Sequence, residues 1–308
     1  ARKARLLSAA RTSGSSANNE DRLAHCYSRD SLLLVVADGM GGHYYGEVAA
    51  QIAVQTVTEA FQREVRTRIR DPFLFLQKGM LNAHRGILDF AGKHRLADSP
   101  RTTCVACIVQ NNIAYWAHSG DSRLYLLRKG RVLAQTKDHS RVRLLLEQGV
   151  ISEDEAHDHP DRNKIYGCLG GQQTPEIEFS HKTTLEAEDV LVLCTDGVWS
   201  GLPGPILAAS LKTGNLMRTV PLLLGQAETR GGPQADNLSM IAVRWQDSYV
   251  DESSGSSSLI STKSMSRDTV TTRMAGFGRN PGQKTELSEE EIELAIEEIR
   301  STIQKYSK

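Results

Sequence analysis

Acidic residues stand directly beside strongly apolar segments at four places in the sequence. They are Glu20 with Asp21, then Asp38, Asp196 and Asp236, the last followed by Asn237. A single Asp-Gly is more often a turn than a ligand. Four such signals, each next to a predicted strand, instead indicate that strand ends bring these acids to one edge of a sheet.

Clustered carboxylates repel one another and raise one another's pKa unless a cation lies among them. The candidate ligands are all oxygen donors, and no His or Cys stands at the spacing of a metal ligand in the sequence. Oxygen donors favour Mg²⁺ or Mn²⁺ over Zn²⁺ or Cu²⁺. Gly39 directly follows Asp38, and a glycine there allows a ligand or a backbone carbonyl to come close.

The apolar patterns predict the elements that must hold these acids in place. The uninterrupted apolar run 31–37 predicts a strand buried on both faces. Apolar residues at helical spacing predict two amphipathic helices, one over 49–61 and one that begins after Asp71-Pro72. Further strands are predicted at 102–109, 113–118, 123–127, 131–135, 189–195 and 238–245. Strands and helices in separate blocks favour an α+β fold over alternating βαβ units.

Composition excludes several classes of protein. The 308 residues carry 37 Lys and Arg against 37 Asp and Glu, so no overall charge attracts nucleic acid or an anionic membrane. No apolar run approaches the length of a membrane span, which predicts a cytoplasmic protein without membrane insertion. Five cysteines argue against a disulfide framework. Cys104 and Cys107 are expected to be core residues on opposite faces of one strand.

The composition changes after Trp245. Residues 1–247 are assigned to one catalytic domain, and residues 248–285, rich in Ser, Thr and Gly, to a flexible linker. Residues 286–308 are predicted to form an amphipathic helix, whose capping box is Ser288 with Glu291. Its apolar stripe either packs on the catalytic body or binds a partner or a second copy through residues 287–306.

Four motifs in this order resemble the metal-dependent protein phosphatases of the PP2C or PPM type, in their bacterial style. They are Asp38-Gly39-Met40-Gly41-Gly42-His43, Ser119-Gly120-Asp121-Ser122-Arg123, Cys194-Thr195-Asp196-Gly197-Val198-Trp199 and Asp236-Asn237-Leu238-Ser239. The resemblance covers about residues 8–245. It implies a central antiparallel β-sandwich flanked by helices on both faces, with two Mn²⁺ or Mg²⁺ ions at one end.

The resemblance also implies a role for each matching residue. Asp38 would bridge the two metals, with the Gly39 carbonyl on the second metal. Asp196 and Asp236 would complete the shell of the first metal, supported by Asn237. Glu20 and Asp21 would serve the second, and Asp121 would hold a third, weaker ion with Asp196.

Two positions depart from the family pattern. The family usually has an arginine that binds the substrate phosphate, where this chain has Ser16. Either Arg11 replaces that arginine or the metals alone hold the phosphate. Ser200 stands where some relatives have a further acid, which weakens the case for a third metal. His43 is a candidate general acid, whereas His118, His139, His157 and His159 are interpreted as having no chemical role.

The function implied is hydrolysis of phosphoserine and phosphothreonine in proteins by attack of a metal-bridging water. The partners expected are phosphoproteins, either kinases or their targets. One alternative is a catalytically weak pseudophosphatase that acts through its C-terminal helix. Another is a phosphatase of small phosphoesters.

Overall fold

The computed structural model describes residues 4–14, 19–40, 45–65, 68–152, 155–156, 159–162, 164–246, 259–261 and 271–274. Its strands are β1 (Ala4–Thr12), β2 (Arg22–Tyr27), β3 (Ser31–Ala37), β4 (Cys104–Gln110), β5 (Ile113–Ser119), β6 (Arg123–Arg128), β7 (Arg131–Gln135), β8 (Glu178–Phe179), β9 (Thr183–Thr184), β10 (Val190–Cys194), β11 (Leu238–Trp245), β12 (Leu259–Ser261) and β13 (Thr271–Met274). Its helices are α1 (Gly46–Glu64), α2 (Pro72–Lys93), α3 (Arg141–Glu147), α4 (Asp196–Gly201), α5 (Gly204–Ser210) and α6 (Leu216–Gly231).

The described strands form two antiparallel sheets. The first has the order β12-β1-β11-β10-β6-β7, and the second has the order β13-β2-β3-β4-β5-β8, with β9 also paired to β5. Side chains alternate between the two faces of a strand. In β3, Leu32 and Leu34 therefore pack into the core between the sheets, while Leu33 and Val35 pack against helices.

Helices cover the outer face of each sheet. The second sheet packs against α1 and α2 through residues such as Ile52 and Met80. The first sheet packs against α4, α5 and α6 through residues such as Leu207 and Leu224. The predicted fold class is confirmed, since a central antiparallel sandwich lies between two helical layers. None of the described helices combines the length and the hydropathy that crossing a bilayer requires.

The expected contacts of the β4 cysteines are confirmed. Cys104 belongs to the core beneath α1 and α2, and Cys107 to the core between the sheets. Both are buried free thiols, and burial raises the pKa of Cys104 to about 12. A buried thiol with a raised pKa is unreactive.

Helices and strands lie in two regions where the sequence analysis assigned none. Helices α4 to α6 fill 196–231, a region in which Pro203 and Pro221 interrupt the helical pattern. Within the predicted linker, β12 pairs with β1 and β13 pairs with β2. These two strands contain β-branched residues and occupy sheet edges that would otherwise offer unpaired backbone groups. The predicted helix at 286–308 lies outside the described residues. The division of the chain into a catalytic domain (1–247), a linker (248–285) and this helix therefore stays a prediction.

The core between the sheets should dominate the stability of the domain. Leu193 is fully buried there, and replacing it with alanine leaves a cavity that the rigid sheets cannot close. We expect Leu193→Ala to lower the free energy of unfolding by about 2–5 kcal/mol, measured by urea denaturation. The control is Leu222→Ala, where the side chain is 67% exposed and the expected change is below about 0.5 kcal/mol. Equal effects of the two variants would contradict this account of the core.

Candidate metal centre

The strand pairings bring the predicted acids to one edge of the sandwich. Antiparallel neighbours place the end of one strand beside the start of the next. Asp38 follows β3, whose last residue pairs with Arg22 at the start of β2, just after Asp21. Asp196 follows β10, which pairs with the start of β11, and Asp236 precedes β11. The two sheets therefore present their acidic ends side by side.

Electrostatics show that these carboxyls share one site. Burial raises the pKa of Asp38 well above its usual range, and the charges of Asp21, Asp196, Asp121 and Asp236 raise it further. Each of these acids is therefore close enough to disfavour ionisation of Asp38.

The neighbours of Asp38 respond to the same environment. Burial, together with nearby carboxylates, raises the pKa of Glu20 and that of Asp21 to about 7 and that of Asp196 to about 6. Burial and Asp196 raise the pKa of Asp121. A divalent cation among these groups would reverse the shifts, because it favours the charged form of each carboxyl.

The donor atoms fit a hard divalent cation. Oδ1 of Asp21 and Oε2 of Glu20 are buried and have no hydrogen-bond partner among the described residues. Buried polar atoms are normally paired, so an unpaired carboxylate oxygen calls for a ligand. The side chains of Asp38 and Asp196 are close enough to shift each other's pKa, so one ion between them would be near both. An all-oxygen set of this kind suits Mg²⁺ or Mn²⁺.

Two threonines and a serine hold the backbone at Asp38, and sequence reasoning missed all three. The carbonyl of Asp38 accepts from the Thr102 hydroxyl at 2.7 Å and from the Thr103 amide at 2.9 Å. The Asp38 amide donates to Thr103 Oγ1 at 3.1 Å, and that hydroxyl lies 2.7 Å from Ser122 Oγ. These contacts fix the backbone of Asp38 at the end of β3, and with it the position of the carboxylate.

Thr195 and Asn237 link the acids of different strands. The Thr195 hydroxyl donates to Oδ2 of Asp21 at 2.9 Å and accepts from the Ser239 amide at 3.1 Å. Asn237 Oδ1 accepts from the Glu20 amide at 2.7 Å, so Asn237 lies against the acidic segment. Thr195 has no signal in the sequence beyond its place before Asp196.

Gly39 occupies a position with no room for a side chain. A Cβ at this residue would clash with the carbonyl oxygens of Gly46 and Glu20. The first turn of α1 thus packs directly on the backbone that follows Asp38. Close approach of this kind requires glycine.

The remaining predicted residues lie near the acids or outside the described part of the chain. Arg11, on β1, donates from Nη1 to the Asp21 carbonyl at 3.0 Å. Arg22, which sequence reasoning missed, donates to the same carbonyl at 2.8 Å. Ser16 and His43 lie outside the described residues.

Asp121 is held by a separate group of side chains. Its carbonyl accepts from Trp199 Nε1 at 2.9 Å, and the Arg123 guanidinium lies 3.6 Å from the centre of a Trp199 ring. Arg123 also pairs with Asp138 at 2.6 Å. Ser200 is exposed, and its hydroxyl donates to the Gly197 carbonyl at 3.3 Å. Because serine has no carboxylate, this position offers no acidic ligand to a third ion.

The packing at Gly39 leads to a direct test. We expect Gly39→Ala to weaken Mn²⁺ binding by more than about tenfold, the scale typical of disturbing the surroundings of metal ligands. The added methyl group must displace α1 or the Asp38 backbone. Isothermal titration calorimetry with Mn²⁺ would measure the change. Gly92→Ala is the control, because a Cβ there meets no atom within 4 Å; equal Mn²⁺ affinity in both variants would contradict the argument.

Comparison with known proteins places the chain in a family. Residues 10–220 match the family "Protein phosphatase 2C". This match includes Asp38, Asp121 and Asp196 and ends before Asp236.

Relatives and solved structures agree with the match. The serine/threonine phosphatase Stp of Listeria innocua is 30% identical over 229 residues, which is 73% of this chain and 90% of the relative. The Streptococcus agalactiae serine/threonine phosphatase has a similar structure, with a TM-score of 0.69, 27% identity and coverage of 78% of this chain and 99% of that one. The catalytic domain of the serine/threonine protein phosphatase PstP, crystallised with two manganese ions, gives a TM-score of 0.67 at 28% identity, covering 80% of this chain and 100% of that one. On sequence and structure together, this chain belongs to the protein phosphatase 2C family.

Proposed function

We propose that this chain hydrolyses phosphoserine and phosphothreonine in proteins, with two Mn²⁺ or Mg²⁺ ions held at the acidic edge of its sandwich. The observation that carries the proposal is the convergence on one site of the carboxyls beside β2, β3, β10 and β11. Asp21 is buried, Asp38 and Asp196 are half-buried, and Asp236 is exposed. Keeping so many like charges in a buried site is costly unless a cation is bound there. Family membership makes the chain an enzyme of the serine/threonine protein phosphatase class.

The proposed ligands follow from the placement of the oxygens. The charges of four other acids act on Asp38, which is therefore the candidate for contact with both ions, with the Gly39 carbonyl beside it. The other candidate ligands are Glu20, Asp21, Asp196 and Asp236, with Asp121 for a weaker third ion. When bound, two such ions would acidify a water for attack on phosphorus and neutralise charge on the phosphate.

The chain's own residues orient these ligands. Thr195 fixes one oxygen of Asp21 through its hydroxyl, so the second oxygen is directed to the site. Thr102 and Thr103 fix the backbone of Asp38. Asn237 holds the backbone of Glu20. Preset ligands of this kind need little reorganisation on metal binding.

Substrate phosphate needs a cation of the protein as well. Arg11 is the proposed phosphate-binding residue, since its guanidinium lies at the acidic edge and contacts the Asp21 carbonyl. His43 remains the proposed proton donor to the leaving oxygen. The segment 287–306 remains a proposed helix for a partner or a second copy.

The alternative functions have less support. A pseudophosphatase would have no use for a complete set of clustered acids, and the predicted acids raise one another's pKa. Relatives with protein phosphatase names favour a protein substrate over a small phosphoester.

The central role of Asp38 is testable by removing its charge. We expect Asp38→Asn to lower kcat on a phosphopeptide by more than about 100-fold, because the loss of an outer-shell partner alone typically costs 10–100-fold. EDTA should abolish turnover by the parent, and Mn²⁺ should restore it. Asp30→Asn, at the other end of β3, is the control and should keep the parent rate. Full turnover by Asp38→Asn, or by the parent after exhaustive chelation, would refute the proposal.

The Ser16 position yields a second test. If this chain binds the substrate phosphate weakly because it lacks the arginine, Ser16→Arg should lower KM for a phosphopeptide more than it changes kcat. The reason is that an interaction equally strong with substrate and transition state changes KM and leaves kcat unaltered. Steady-state kinetics at saturating Mn²⁺ would separate the two constants. Ser15→Arg, one residue away, adds the same charge and controls for general electrostatic attraction. An unchanged KM in Ser16→Arg, or the same fall in KM in both variants, would contradict a specific role for this position.

A further inference from the structure

A second group of potential metal ligands lies apart from the acidic edge. His118, His139 and Glu178 each offer a ligand atom, and these three atoms lie within 4.8 Å of one another. His118 is on β5, His139 follows β7, and Glu178 is on β8, directly across from His118 in the strand pairing. His118 and His139 are 21 positions apart in the sequence, and His139 and Glu178 are 39 positions apart. The fold nevertheless brings the three side chains together.

Each of the two histidines has one unpaired ring nitrogen. His118 and His139 are each only 2% exposed. Nδ1 of His118 and Nε2 of His139 are buried and have no hydrogen-bond partner among the described residues. A buried ring nitrogen without a partner is unusual, because buried polar groups are normally satisfied. The two rings are neighbours, with centres 4.7 Å apart, and His139 Nε2 lies beside the Glu178 carboxylate. Two unpaired nitrogens in such a place indicate a missing ligand.

The hydrogen bond of His118 prepares it to bind a metal. Its Nε2 lies 2.6 Å from the Lys137 carbonyl, and a carbonyl can only accept. The proton of the neutral ring therefore sits on Nε2, and the lone pair of Nδ1 is available. Burial also lowers the pKa of His118. A metal-binding histidine typically donates its other N–H to a backbone carbonyl in this way.

The geometry suits a small tetrahedral ion. His139 Nε2 lies 3.7 Å from Glu178 Oε2, and two ligands of tetrahedral zinc are about 3.4 Å apart when each bond is about 2.1 Å. The His139 ring is stacked on Tyr166, with ring centres 5.6 Å apart. Zinc binding would place the His139 proton on Nδ1, which breaks only a long 3.4 Å contact from the Gly120 amide.

We propose that His118, His139 and Glu178 form a binding site for Zn²⁺. Two imidazoles and one carboxylate are a donor set that zinc prefers and that Mg²⁺ and Mn²⁺ do not. Glu178 is exposed, so the fourth position of the ion opens to solvent on that side. The ion would fasten the two-residue strand β8 to β5 and to the segment that holds His139.

This site adjoins the catalytic edge without sharing a ligand with it. Gly120 lies between His118 and Asp121, and its carbonyl accepts from the His139 amide at 3.0 Å. Zinc would therefore stiffen the turn that positions Asp121. The site is independent of the proposed phosphatase activity, because none of its three ligands belongs to the acidic cluster.

The test measures zinc binding to the full chain with Mn²⁺ in excess, so that the oxygen sites are filled. Zinc chloride is titrated in competition with a chromophoric chelator. We expect Glu178→Gln and His118→Gln to weaken zinc binding by more than about tenfold. The controls are Glu176→Gln and His181→Gln, which change exposed residues of the same types nearby and should bind zinc as the parent does.

A second measurement identifies the ligands directly. Co²⁺ added to the Mn²⁺-loaded parent should give the strong visible absorption of a four-coordinate, nitrogen-ligated ion, which six-coordinate oxygen sites lack. Glu178→Gln, an exposed change that leaves the fold intact, should reduce this band. Parent-like zinc affinity in both ligand variants would overturn the proposal. So would a zinc site that is lost in Asp236→Asn but kept in Glu178→Gln, or an absent cobalt band.

Discussion

Repulsion among buried carboxylates is the constraint on which the catalytic end of this protein depends. Burial and mutual charge raise the pKa values of Glu20, Asp21, Asp38 and Asp196. Such a cluster holds together only if the backbone is fixed by other interactions and if cations neutralise the charge. The structure supplies the first condition with hydrogen bonds that hold the chain at the acids and leave carboxylate oxygens unpaired. The second condition is what makes the site a metal centre.

The sandwich meets this constraint because antiparallel strands have stiff, aligned ends. Each acid stands within two residues of a strand whose side chains are buried on both faces, so moving the acid would disturb a core. The helices on both outer faces bury those strands completely, which an open sheet could not do. Gly39 shows how tightly the layers meet, because α1 approaches so closely that no side chain fits there. Metal geometry is thus set by core packing.

Sequence patterns predicted what depends on local order. The apolar run before Asp38 predicted β3, and the acids at strand ends predicted that these carboxyls come together at one edge. The hydroxyls of Thr102, Thr103 and Thr195 were missed because their partners lie across the sheet and a threonine in a strand has no distinctive pattern. Helices α4 to α6 were missed because proline interrupts their periodicity. The cluster of His118, His139 and Glu178 was missed for a similar reason, since only the fold brings together residues with no ligand spacing in the sequence.

The two proposed groups of ligands would let one fold separate metals by chemistry. Asp121 and His118 are three residues apart, yet Asp121 faces the carboxylates and His118 faces an imidazole and one carboxylate. Mn²⁺ and Mg²⁺ favour the oxygen site and gain little from imidazole, whereas zinc favours nitrogen donors. Gly120 joins the two sites through a turn with φ of 108°, a conformation in which a side chain would be strained and would also clash with Thr103. Thr103 accepts a hydrogen bond from the Asp38 amide. A shift of His118 or His139 that moves Gly120 would therefore move Thr103 and, through it, Asp38.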